Sequence, residues 1–128
     1  MEIATPPKIL IVEDDEQIRQ IYEFKLQNSG YAVKLATDGE SGLNAAKEFT
    51  PDLILLDLRM PVMNGDEMLE KLRAEDWGAD MRVIILTNIS KDEAPRSLGF
   101  LDVDRYIVKA HHTPSQVVEI VREVLAGQ

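Results

Sequence analysis

Cysteine is absent from the 128 residues, which excludes a disulfide framework and any thiolate metal site and fits a reducing compartment. No apolar run approaches the length of a membrane span, and Met1 to Pro7 has neither the basic nor the apolar segment of a secretory signal. A cytoplasmic chain with no membrane partner is therefore expected. Basic residues are scarce, 14 Lys+Arg against 23 Asp+Glu. Such a surface repels a phosphate backbone, and no local basic face stands out, so direct nucleic-acid binding is not expected. Internal repeats, low-complexity runs and a linker to a second unit are missing as well. So is a glycine-rich phosphate loop, which argues against a flavin- or nucleotide-binding reading.

What is present suits one domain, since a chain of this length buries a core without disulfide or metal staples. The expected organisation is a short extended tail over residues 1–7, with its Pro6-Pro7 pair, and a single domain over 8–126 with no fused output domain. Four apolar residues, Leu53 to Leu56, lie between Pro51-Asp52 and the sequence Asp57-Leu-Arg59-Met-Pro61-Val-Met-Asn-Gly65. A continuous apolar run bounded by such breakers reads as a strand buried on both faces, in the middle of a parallel sheet.

Three further runs repeat the pattern. Lys8 to Val12 ends in Glu13-Asp14-Asp15, Arg82 to Leu86 ends in Thr87, and Arg105 to Val108 ends in Lys109. Tyr31 to Ala36 alternates weakly and predicts an outer strand. Between the strands lie helical patterns. Ile18, Ile21, Tyr22 and Leu26 form a stripe closed by Asn28-Ser29-Gly30. Asp38 caps a helix carrying Leu43, Ala46 and Phe49 inward and stopped by Thr50-Pro51. A third helix over Gly65 to Glu75 turns Met68, Leu69 and Leu72 to one face, and Thr113-Pro114 opens a last one striped with Val117, Val118, Val121, Val124 and Leu125. Between Ser90 and Asp102, Pro95 and Gly99 weaken the pattern and predict a short, mobile helix.

Strand and helix thus alternate, which predicts an α/β fold: a five-stranded parallel sheet with helices on both faces. In open sheets of this kind ligands bind at the carboxyl ends of the strands. Acids, a hydroxyl and an ammonium distant in sequence would then meet along one edge. Each has a plainer reading on its own. Acids opening a helix serve as caps as often as metal ligands, and Asp15 is expected to be the cap. Thr87 could be a strand-end hydroxyl, Lys109 a surface lysine and Tyr106 a half-buried core ring. His111-His112 is expected to be solvated, Met60, Met63 and Met68 to pack, and Trp77 to fold against the body.

Taken together, Ile-Leu-Ile-Val-Glu13-Asp14-Asp15, the block from Asp52 to Gly65, Thr87 after an apolar strand, and Tyr106-Ile-Val-Lys109 resemble the receiver domain of bacterial response regulators. The resemblance runs from about Lys8 to Leu125. It implies the flavodoxin-like sheet order 2-1-3-4-5 of chemotaxis receivers. It further implies that Asp57 accepts a phosphoryl group from a sensor histidine kinase or phosphotransfer protein in a Mg²⁺-dependent reaction. Asp14 and Asp57 would hold the metal directly, Glu13 through water, and Arg59 through its main-chain carbonyl. Thr87 and Lys109 would bind the phosphoryl group, and Thr87 with Tyr106 would switch the surface of the fourth helical segment, fifth strand and last helix toward a downstream protein target. A transient homodimer is compatible with that scheme, and the domain would catalyse its own phosphorylation and dephosphorylation. The alternative is a non-phosphorylated pseudo-receiver that only binds protein, disfavoured because every charged site group is present. A phosphatase of the haloacid dehalogenase type needs a second aspartate two places after the first, where Arg59 stands. One departure is Ala110 where the family has a cis proline; a non-proline cis bond is unfavourable by roughly 2.5–4 kcal/mol, so a trans Lys109–Ala110 bond is expected.

Overall fold

Each expected apolar run forms a strand. A computed structural model describes residues 5–127, so Met1 to Ala4 of the expected tail lie outside the described residues, while Thr5, Pro6 and Pro7 are exposed and irregular. The elements are β1 (Lys8–Val12), α1 (Glu16–Asn28), β2 (Ala32–Ala36), α2 (Gly39–Phe49), β3 (Leu53–Leu56), α3 (Gly65–Arg73), β4 (Arg82–Thr87), β5 (Arg105–Val108) and α4 (Pro114–Ala126). The sheet is parallel throughout and ordered β2-β1-β3-β4-β5, as the resemblance implies. Its register aligns the strand tips that matter: Val12 lies opposite Leu56, and Leu56 opposite Ile85. Hydrogen bonds from the Asp57 amide to the Val12 carbonyl (3.1 Å) and from the Glu13 amide to the Ala36 carbonyl (3.0 Å) extend that alignment one residue past the strands.

Side chains on a strand alternate between faces, so each buried strand feeds two cores. Leu10, Val12, Ile54, Leu56, Val83 and Ile85 pack toward Ala45, Ala46, Met68, Leu69 and Leu72 of α2 and α3. Ile9, Ile11, Leu53, Leu55, Ile84 and Leu86 pack toward Tyr22 and Leu26 of α1 and the valines of α4. This is why Leu53–Leu56 reads as unbroken apolar sequence: both of its faces are covered. Helices α1, α2 and α4 start on side-chain caps, whereas Asn64 before α3 makes no such bond. Asp15 Oδ1 accepts from the Ile18 amide at 3.1 Å, and reciprocal capping boxes join Asp38 to Ser41 and Thr113 to Gln116, with Pro114 at the first helical position.

Two expectations need correction. Ile21 is 46% exposed and Phe24 65%, so the buried stripe of α1 is Ile18, Tyr22 and Leu26, one residue per turn, and Ile21 falls about 100° around the helix from it. Residues 90–102 do not form an α-helix but two 3-10 turns, Lys91–Glu93 and Arg96–Phe100. Ala94, forced out of the helical region by the proline that follows, takes φ −66°, ψ 150°, and Pro95 itself stays extended at ψ 137°. The far end of this segment is held from a distance. Arg73 donates through Nε to the Leu101 carbonyl (2.8 Å), through Nη2 to Asp102 (2.8 Å), and through Nη1 to Met81 (2.7 Å) and Gly78 (3.0 Å). Burial pulls its pKa down, against the pull of Asp102, Asp104 and Asp80. Among the described residues no helix is long and apolar enough to cross a membrane.

Candidate active site

Because β1, β3, β4 and β5 run parallel, the residues just past their tips meet in one open cleft of about 580 Å³, lined by Glu13, Asp14, Asp57, Arg59, Thr87 and Lys109 among others. Oxygens of Glu13, Asp14 and Asp57 lie within 4.8 Å of one another. Glu13 is 3% exposed, Asp57 7% and Thr87 1%, whereas Asp14 faces solvent. Three carboxylates this close, two of them buried, repel strongly unless a cation sits among them. Lys109 supplies one. Its Nζ donates to Glu13 Oε1 at 2.6 Å and to Asp57 Oδ2 at 3.3 Å. Burial alone would lower the lysine pKa, but its bonds to these two acids outweigh that and hold the ammonium above its ordinary range. At Glu13 burial wins: its carboxyl is pushed up despite the bonds from Lys109 and from the Asp15 amide.

Asp57 is aimed rather than free. Its Oδ1 accepts from the Leu58 amide at 2.7 Å while Oδ2 faces Lys109. The loop behind it is fixed by bonds from the Gly65 amide to the Leu58 carbonyl (3.0 Å) and from the Met60 amide to Asn64 Oδ1 (3.1 Å). Thr87 Oγ1 accepts a long bond from the Ile89 amide (3.4 Å), which leaves the hydroxyl proton free to donate into the cleft. Tyr106 is not a cleft residue. Its hydroxyl donates to the Ile89 carbonyl at 2.7 Å and more weakly to Ser90 at 3.4 Å, so the ring ties down the segment that leaves Thr87. Burial pushes its pKa up, aided by Asp57 and Glu93. Arg59 is exposed at the rim. The Lys109–Ala110 bond is trans, since the described residues contain no cis peptide, and Lys109 reaches the acids regardless. His111 is exposed, as expected of a solvated pair, but His112 departs from that reading: it is half-buried, and its Nδ1 is buried without a partner.

The cleft has features that sequence patterns do not reveal. Lys109 bonds Glu13 (2.6 Å) more closely than Asp57 (3.3 Å). Arg19 of α1 donates through Nη1 to the carbonyls of Glu13 (2.9 Å) and Asp14 (3.2 Å). Val62, 74% exposed, closes a three-residue turn at φ 69°, with the Met63 amide bonded to the Pro61 carbonyl at 2.7 Å. A β-branched residue is strained there, by roughly 1–2 kcal/mol. Val62→Asn, which tolerates positive φ, is expected to raise stability by about 1 kcal/mol in urea denaturation. An unchanged or lower midpoint would show that the turn holds no strain.

As a donor set the cleft suits Mg²⁺, which prefers hard oxygens and keeps several waters: Asp14 is open to solvent and leaves one side free. Comparison with known proteins agrees with this geometry. The sequence model of the response regulator receiver domain matches residues 9–122. A probable transcriptional regulator, ycf27 of Guillardia theta, is 36% identical over 126 residues, covering 98% of this chain and 48% of its own length. The chain thus spans about half the length of the curated relatives it matches. Among solved structures, the chemotaxis response regulator CheY4 of Vibrio cholerae superposes with a TM-score of 0.85 at 29% identity, covering 94% of this chain and 99% of that one. The receiver domain of the sensor histidine kinase PA1611 of Pseudomonas aeruginosa PAO1, described with a magnesium ion coordinated in its active site cleft, gives a TM-score of 0.85 at 25% identity over 95% of this chain and 99% of that one. On its fold, the acids and lysine at its strand tips and the match across nearly its whole length, this chain belongs to the response regulator receiver domain family.

Proposed function

We propose that Asp57 is the phosphoacceptor of a two-component signalling protein, taking its phosphoryl group from a sensor histidine kinase or phosphotransfer protein and passing its state to a downstream protein. The observation that carries this is the placement of Lys109, whose ammonium spans Glu13 and Asp57 in a cleft shared with the Thr87 hydroxyl. A carboxylate that attacks phosphorus must approach an anion, so catalysis here consists of positioning and of charge neutralisation. The Leu58 amide holds one Asp57 oxygen in place, and an Asp57 oxygen forms the bond to phosphorus as the bond to the donor nitrogen breaks, the electron pair leaving with the donor imidazole. Lys109 offsets the charge that arrives. Asp14 and Asp57 would hold Mg²⁺ directly, Glu13 through water and Arg59 through its carbonyl, and when bound the ion supplies further charge neutralisation at the phosphoryl oxygens.

Thr87 would donate its hydroxyl proton to the new phosphoryl group, a role supported by its position in the lining of the cleft. Doing so draws on a residue whose oxygen already takes the Ile89 amide, and Ile89 in turn carries the Tyr106 hydroxyl on its carbonyl. A local charge change thereby acts on the 3-10 turns after β4, on β5 and on the adjoining end of α4, which we assign as the output surface. The unit over 8–126 would carry out this chemistry as a receiver in the cytoplasm, and a transient homodimer is compatible with it. Incubation with acetyl phosphate and Mg²⁺ should add one phosphoryl group per chain, and a chelator should stop the labelling. Equal labelling with and without Mg²⁺ would contradict the assignment of the acidic cluster.

A further inference from the structure

The β1–α1 connection carries two of the three acids of the cleft, and the two are held differently. Glu13 is anchored through its side chain, by Lys109 at Oε1 and by the Asp15 amide at Oε2 (3.0 Å). Asp14 is different. It is exposed, and no described residue hydrogen-bonds or ion-pairs with its carboxylate, so the rest of the protein controls it through the position of its Cβ, which follows from how its peptide is fixed. Three successive carbonyls in this connection are all taken by one residue. Arg19 donates to the carbonyls of Glu13 (2.9 Å) and Asp14 (3.2 Å) from the same Nη1 and to that of Asp15 (2.9 Å) from its own amide, the first bond of α1. A guanidinium nitrogen carries two hydrogens in a fixed plane, so this fork sets the angle between two neighbouring peptides.

We infer that Arg19 is a positioning residue for the cation site: it fixes the peptides of Glu13 and Asp14 so that their carboxylates converge on Asp57. This rests on the Mg²⁺-dependent reading above. Arg19 touches neither carboxylate, so its effect is on cation affinity rather than on the phosphoryl step. Removing groups that orient metal ligands lowers affinity by roughly 10- to 100-fold. Removal of the fork should weaken Mg²⁺ binding about tenfold, the low end of that range, because Glu13 keeps its Lys109 and Asp15 bonds.

The test is calorimetric titration with Mg²⁺ of wild type, Arg19→Met, Arg19→Lys and Lys25→Met. Arg19→Met keeps an unbranched apolar stem and the helix propensity but has no donor. Lys25→Met removes a bond from the same helix to Ser115 of α4 (3.0 Å), neither of which lines the cleft, and so controls for a general loosening of α1. The expected result is about a tenfold rise in the Mg²⁺ dissociation constant for Arg19→Met, partial rescue in Arg19→Lys and no change in Lys25→Met. Labelling by acetyl phosphate should then recover in Arg19→Met as Mg²⁺ is raised. An Arg19→Met constant within about twofold of wild type, or an equal loss in Lys25→Met, would overturn the inference, twofold being far below the loss expected of a ligand-orienting group. Absence of Mg²⁺ binding by the wild type would instead overturn the reading of the cleft.

Discussion

Lys109→Met is expected to lose phosphorylation by a factor of roughly 10²–10³, the usual consequence of deleting one preorganised charge-stabilising donor. It should also be less stable. The ammonium and its two carboxylate partners have side chains 12%, 4% and 9% exposed, and breaking a buried pair by removing one partner costs about 3–5 kcal/mol because the remaining charge is left uncompensated. We expect the low end of that range in chelator, since Glu13, whose pKa burial already pushes up, can take a proton when the lysine leaves. Measured against wild type in chelator, much of the loss should return with Mg²⁺. A ligand at a hundred times its dissociation constant stabilises by about 2.7 kcal/mol, comparable to the deficit. Urea denaturation of both proteins in chelator and in excess Mg²⁺ checks this directly. A variant as stable as wild type in chelator would mean that the lysine does not hold the acids together.

Gly65→Ala tests the frame behind the acceptor. An added Cβ would sit 2.1 Å from the Asp57 carbonyl oxygen, 3.0 Å from its carbon and 3.1 Å from Leu56 Cγ, and two of these atoms are backbone with no rotamer to escape by. Accommodation requires either Asp57 or the start of α3 to move. Overpacking of this kind commonly destabilises by about 1–3 kcal/mol, and the backbone contact puts this site at about 3 kcal/mol or more. Because Asp57 itself is one of the two groups that can yield, labelling by acetyl phosphate should fall in parallel. Gly99→Ala is the contrast, since nothing lies within 4 Å of its Cβ position and its φ is ordinary. It should be neutral within about 0.5 kcal/mol, as for most surface substitutions. Equal stability of the two variants would mean that the close approach behind Asp57 is not a constraint.

The sheet and its order of elements were legible because the strands are parallel and mostly buried: Leu53–Leu56 and Ile84–Leu86 carry no alternation, and each ends abruptly in a polar residue. The same property made the site legible, since parallel strands bring Asp57, Thr87 and Lys109 to one edge whatever their separation in sequence. What could not be read depends on contacts between distant residues. Pro95 and Gly99 signal that a helix is disfavoured after β4, but the 3-10 geometry is closed off by Arg73, 28 residues before Leu101. That Lys109 lies 2.6 Å from Glu13 but 3.3 Å from Asp57 is a feature of the folded cleft, which no motif encodes. The turn at Val62 runs against local preference, and there the loop closed by Gly65 and Asn64 overrides the residue type.

The central claim is that the groups at the strand tips serve one acceptor. Its most direct measurement is intact-mass analysis of wild type and Asp57→Asn after exposure to acetyl phosphate, each with Mg²⁺ and with chelator. The account predicts one phosphoryl adduct in wild type with Mg²⁺ and none in the other three samples, with Asp57→Asn remaining folded. An adduct of similar yield on Asp57→Asn, or none on folded wild type with Mg²⁺, would contradict it.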